Sequence, residues 1–262
     1  MRIVVKIGSS TLAHPTGRMN IRRVAELCRV LSDLKNAGHE IILVSSGAIA
    51  MGVGKLSMTS RPHDTPTNQA AASIGQCELM YTYNKEFAEY NHTVAQILLT
   101  VLDLKDGEHR KNFENTMARL LELGALPVIN ENDSVATEEL EIDNDTMGAL
   151  VAEAVGAELL ILLSDIDGLY TADPHKDPSA RLIHDVCALT PEITALGGGE
   201  GSALGTGGMA AKLKAAEIAV GAGIDMVIAN GAHPSVLYDI IEGKPVGTRF
   251  YGHTPGQKEE RE

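Results

Sequence analysis

Arg2-Ile3-Val4-Val5-Lys6-Ile7-Gly8-Ser9-Ser10 opens the chain and decides its fold class. Six strand-forming residues run into three small ones, a turn that lets backbone N–H groups come close to a ligand. Further on, Glu40 to Val44 gives a second buried strand that stops at Ser45-Ser46-Gly47-Ala48, where a helix opens. Between the two, Asn20 is placed to cap a helix in which Ile21, Val24, Cys28, Leu31 and Leu34 recur at three- and four-residue spacing, with Gly38 as its stop.

Working outward, the alternation continues. Helical stretches are expected at 67–91, 111–123, 144–155 and 209–222, and strands at 93–99, 126–129, 158–163 and 224–228, with an acidic, hairpin-like interval at 134–142. Such alternation predicts a three-layer αβα sandwich around a mostly parallel central sheet. In open sheets of this kind, ligands sit beyond the carboxyl ends of the strands. The polar and glycine-rich segments fall there.

Composition narrows the function. The chain has 262 residues, 44% of them apolar, and no apolar run approaches the roughly 18 residues of a membrane span. A soluble protein is expected, with no membrane partner. A formal charge of −13 argues against nucleic-acid binding, which draws on dense Lys and Arg. Cys28, Cys77 and Cys187 are odd in number and far apart, and the N-terminus reads as strand rather than signal peptide, so a reducing, cytoplasmic setting is expected. The histidines show no metal-binding spacing.

Three constellations carry chemistry. Lys6 points toward the Gly8-Ser9-Ser10 turn, and Lys212 lies in the first turn of a helix introduced by Gly205-Thr206-Gly207-Gly208; both can meet phosphate at helix N-termini. Taken singly, a strand lysine such as Lys6 is more often a solvated edge residue and a glycine run more often a flexible loop; together they point to phosphate. Gly205 to Ala210 also fits a loose dinucleotide fingerprint with Asp225 as the ribose acid, although no buried strand precedes it. A Walker loop is excluded because Val53 stands where lysine is required. The second constellation is Asn130-Glu131-Asn132-Asp133 with Asp143-Asn144-Asp145, where Asp143 or Asn144 can also serve as a helix cap. An EF-hand loop fails here at Met147. Third, Ser164-Asp165-Ile166-Asp167-Gly168 through Pro174 forms a turn after the most apolar strand.

These motifs, in this order from the first strand to about Phe250, resemble the amino acid kinase family, and specifically its members that phosphorylate glutamate. The resemblance implies an ATP-dependent transfer to the γ-carboxylate of L-glutamate on the way to proline. It implies ATP and Mg²⁺ as cofactors, the metal carried on the phosphates without protein ligands. Lys6 and Lys212 would be catalytic, with Asp145 orienting both. Ser46, Gly47, Asp133 and Asn144 would bind glutamate. Lys6, Gly8, Ser9, Ser164, Asp165, Thr206, Gly207, Gly208, Met209, Ala210, Ala211 and Lys212 would hold the nucleotide. Proline as a feedback inhibitor and a homo-oligomeric state are further implications, as is a kinase domain over 1–251, a polar tail over 252–262 and no C-terminal PUA-type domain.

The chain departs from the family pattern at Ala211, where relatives commonly carry Thr, and over 106–112, where an Arg-rich stretch is usual. Alternative expectations are another amino acid kinase, acting on N-acetylglutamate, aspartate or a nucleoside monophosphate, or a sensor that keeps the fold without catalysis. Retention of both lysines disfavours the sensor, because binding alone needs no transition-state charge stabilisation.

Overall fold

The computed structural model describes residues 1–14, 16, 18–136, 143–174, 176–198 and 208–253. β1 (Arg2–Ile7) leads through a one-turn helix α1 (Ser9–Leu12) to α2 (Ile21–Asn36) and β2 (Glu40–Ser45). Two helices follow, α3 (Ala48–Lys55) and α4 (Thr65–Ala88), then β3 (Val94–Leu99), α5 (Val101–Lys105), α6 (Gly107–Glu122) and β4 (Leu126–Glu131). The second half runs α7 (Asn144–Ala154), β5 (Leu159–Ser164), β6 (Leu169–Tyr170), β7 (Leu182–Ile183), β8 (Asp185–Val186), α8 (Pro191–Ala195), α9 (Met209–Gly221), β9 (Asp225–Asn230), α10 (Val236–Ile241) and β10 (Thr248–Phe250).

Eight strands form one sheet in the order β3-β4-β2-β1-β5-β9-β10-β8, parallel except where β10 runs against β9. β6 and β7 make a separate two-stranded ribbon. The first strand lies near the middle, paired with β2 on one side and β5 on the other. Chain order reverses between β1 and β5, which makes that boundary the topological switch point where parallel sheets place ligands.

Strand periodicity sorts the side chains into two cores. Ile3, Val5 and Ile7 pack with Leu27, Leu31, Leu79 and Tyr83, beneath α2 and α4. Val4, Ile42, Leu160 and Leu162 pack with Met147, Val151, Leu213 and Ala216, beneath α7 and α9. The three expected layers are therefore present. Lys6, two residues from Val4, is turned by the same alternation toward α7 and α9.

Most elements lie where periodicity placed them. Asn20 caps α2, its Oδ1 accepting from the Arg23 N–H, and Gly38 follows with a left-handed φ of +93°. Ile21 is not part of the buried face of α2; it is 71% exposed in the first turn. Gly8-Ser9-Ser10 is the start of α1 rather than a turn alone. α6 begins before 111, because Asp106 accepts hydrogen bonds from the N–H groups of Glu108 and His109 and so starts the helix earlier. The interval 134–142 lies mostly outside the described residues.

Candidate active site

The carboxyl ends of β1, β2, β4 and β5 converge on a cavity of ≈ 780 Å³. Each contributes through the segment that follows it. β1 supplies Lys6 and leads to Gly8 and Ser9, β2 leads to Ser46 and Gly47, β4 ends at Asn130 and Glu131 before Asp133, and β5 ends at Ser164 before Asp165. Gly47 caps α3 with φ +103°, a left-handed conformation that a side chain rarely adopts, and α3 starts against the cavity, with Ile49 and Ala50 in its lining.

At the floor, one carboxylate holds two ammonium groups. Lys6 Nζ lies 2.6 Å from Asp145 Oδ1, and Lys212 Nζ donates to Asp145 Oδ2 at 3.0 Å. Asp145 is 1% exposed and Lys212 4%. Burial by itself raises the Asp145 carboxyl, but the two adjacent ammonium groups outweigh it and hold the group below its ordinary value. Asp145 is thus held as a carboxylate. The placement of all three groups follows from the elements: Asp145 enters from the first turn of α7, where Asp143 is the cap, accepting from Thr146 N–H at 2.8 Å. One turn on, Gly148 leaves room for the Lys6 stem; a Cβ there would stand 3.3 Å from Lys6 Cβ.

A second cavity, ≈ 720 Å³, adjoins the first and shares Asp143, Asp165 and Lys212 with it. Ile166, Leu169, Tyr170, Pro174 and Leu196 give it an apolar side, and Gly208, Met209, Ala210 and Ala211 line it from the start of α9. The site therefore has two lobes that meet at Asp143, Asp165 and Lys212: one polar and bounded by β-strand ends, one partly apolar. Such a pair suits a small charged acceptor and a nucleotide base, with phosphates between them.

A family model for the amino acid kinase family matches residues 1–230. The chain belongs to that family. Curated relatives within the family include the glutamate 5-kinase of Clostridium perfringens, 47% identical over 95% of this chain and 94% of that protein. The glutamate 5-kinase of Clostridium tetani is 51% identical over 95% and 93%. That of Carboxydothermus hydrogenoformans is 52% identical over 95% of this chain and 68% of its own length. Among solved structures, the carbamate kinase from Giardia lamblia bound to AMP-PNP superposes with a TM-score of 0.70 at 17% identity, covering 95% and 98% of the two chains. Isopentenyl phosphate kinase from T. acidophilum gives 0.65 at 17%, covering 95% of this chain and all of the other. These structures share the amino acid kinase fold.

Every described residue singled out from the sequence for a role in this family's chemistry lines one or both cavities; Thr206 and Gly207 lie outside the described residues. Asp225 does not. It starts β9, at the far end from the cavities, and accepts from Arg249 at 3.3 Å and Gly252 N–H at 3.0 Å, which removes the dinucleotide reading. Sequence reasoning missed Met58, Thr59, Ser60 and Arg61, which reach the first cavity from the loop between α3 and α4. That loop has no periodicity and offered only the Arg61-Pro62 pair as a signal. It also missed the apolar side of the second cavity, which the turn at 165–174 supplies.

Proposed function

We propose that the protein transfers the γ-phosphoryl group of ATP to the γ-carboxylate of L-glutamate, giving L-glutamyl 5-phosphate and ADP as the first step of proline biosynthesis. The observation that carries this reading is the buried Lys6–Asp145–Lys212 triad at the floor of the first cavity, whose Lys212 also lines the second. One carboxylate oxygen of glutamate forms the new bond to phosphorus while the bond to the β–γ bridging oxygen breaks. A γ-carboxylate with an ordinary pKa of about 4.3 is already ionised at neutral pH, so the nucleophile needs no general base. The difficulty is electrostatic: an anion approaches an anion, and positive charge must be preorganised where the phosphoryl group passes.

Lys6 and Lys212 supply that charge, and Asp145 fixes both in place. Ser46, Gly47, Asp133 and Asn144 form the glutamate subsite, Asp133 opposing the α-ammonium. Gly8, Ser9, Ser164, Asp165 and the 206–212 segment form the nucleotide subsite. Mg²⁺ carried on the phosphates would supply further charge neutralisation, and Asp165, exposed where the cavities join, would accept hydrogen bonds from the water around it. A kinase unit over 1–251, proline as feedback inhibitor, a homo-oligomeric assembly and a cytoplasmic setting complete the reading, on the strength of the family resemblance.

Acceptor choice tests it. N-acetylation removes the cation that offsets Asp133, and losing a charge-assisted hydrogen bond costs roughly 1.5–3 kcal/mol, a ten- to hundredfold penalty before steric terms. With saturating MgATP and hydroxylamine to trap the acyl phosphate, kcat/KM is expected to be far higher for L-glutamate than for N-acetylglutamate or aspartate. Equal values, or preference for the acetylated acceptor, would overturn the assignment and leave the fold untouched.

A further inference from the structure

Glutamate brings two carboxylates and one ammonium to the site at neutral pH. On the reading above, the γ-carboxylate faces Lys6 and Lys212 and the ammonium faces Asp133, which leaves the α-carboxylate to be matched. Among the described residues lining the first cavity, the cationic side chains are Lys6, Lys212 and Arg61. Both lysines are committed to Asp145 at the floor. The rest of the lining mixes neutral polar groups such as Ser46, Thr59 and Asn130 with the carboxylates of Glu131, Asp133, Asp143 and Asp165. Those carboxylates repel a second one, and the cationic side chain of this lining that is not paired with Asp145 is Arg61, exposed on the α3–α4 loop at the cavity rim.

We propose that Arg61 is a specificity-determining residue that receives the α-carboxylate of the acceptor, a role that rests on the glutamate reading. The guanidinium is the side chain best suited to it, since its planar fork matches a carboxylate through two parallel N–H donors. Among the described residues Arg61 makes no ion pair or hydrogen bond that would have to break first. Its backbone is held from both sides. Pro62 follows and restricts it to extended conformations, the Pro62 carbonyl accepts from Asn68 Nδ2 at 3.0 Å, and Asp64 caps α4 through the Thr67 N–H at 2.9 Å. On the other side the loop springs from α3, which is locked against α4 where Gly52 and Gly75 allow backbone contact.

The test compares L-glutamate with 4-aminobutyrate, which keeps the reacting carboxylate and the ammonium but lacks the α-carboxylate. In Arg61→Ala the KM for glutamate should rise about tenfold, the lower end for a charge-assisted pair, with KM for ATP unchanged. The inhibition constant of 4-aminobutyrate against glutamate should stay within about twofold of the parent's, by the same reasoning that only the missing group is read. An unmoved glutamate KM, or an equal rise for both compounds, would overturn the proposal and give the α-carboxylate to the N–H groups at the start of α3. Arg61→Lys guards against weak 4-aminobutyrate binding: it should recover part of the glutamate KM, and a loss as large as that of the alanine variant would also overturn the assignment. A parent protein that phosphorylates no glutamate at all would refute the proposed function instead.

Discussion

Asp145 is the residue on which the site's electrostatics turn. Two lysines that would repel one another are held together by a single carboxylate that is almost fully buried. Asp145→Asn keeps the shape and removes the buried charge that both ammonium groups face, and breaking a buried ion pair in this way costs about 3–5 kcal/mol. Urea unfolding at pH 7 should show the variant less stable by about that amount. The dependence on pH has a definite sign. Because the folded carboxyl lies below its ordinary value, its stabilising effect is fully present above the unfolded pKa of about 3.9 and fades as pH falls through the folded value. The stability gap between parent and variant should therefore be constant from pH 8 to pH 5 and shrink only in stronger acid. A gap that widened on mild acidification would contradict the charged triad.

At the scale of elements, α3 and α4 approach so closely that two glycines have no room for a side chain. A Cβ at Gly75 would sit 1.8 Å from the Ala48 carbonyl oxygen, and one at Gly52 would sit 1.9 Å from that of Ala71. Both clashes are with backbone, so no rotamer change relieves them. Gly75→Ala should destabilise by about 3 kcal/mol, the upper range for overpacking, and lower Tm by roughly 6–12 °C. Gly107 in α6 is the control, since a Cβ there meets nothing within 4 Å. Gly107→Ala should be neutral or raise Tm slightly, because it stiffens only the unfolded chain. Similar melting of the two variants would mean that the α3–α4 contact is looser than described. This contact also marks a limit of the sequence. α2, α7, α9 and the six long strands announce themselves by period, cap or apolar run, and Asn20 and Asp143 cap as their residue types suggest. Close helix approach through single glycines leaves no such trace, and neither do β8 and β10, which are too short for any period to be read.

For the molecule as a whole, the order of strands explains why the site was so legible. Alternation turns Lys6 to the face where α7 and α9 lie, and the switch between β1 and β5 gathers the polar strand ends on one side of the sheet. What the sequence could not place was the rim, because Arg61 and its neighbours sit on a loop whose course depends on how two helices pack. The central seat of β1 has a further consequence, for the chain as it is made. β1 leaves the ribosome well before β5, so β2 is available to it first while its other edge waits: the Arg2 N–H meets Glu158 across 156 residues. At about 5–20 residues per second, synthesis leaves that apolar edge unpartnered for roughly 8–30 s. Stalled nascent chains should show β1 protected from protease only once β5 has cleared the exit tunnel; protection in shorter chains that end after β2 would show that half the sheet suffices. Until then each new copy presents an open template to its neighbours on the same polysome, so yield in the cell should depend more on chaperone supply than the stability of the finished enzyme would suggest.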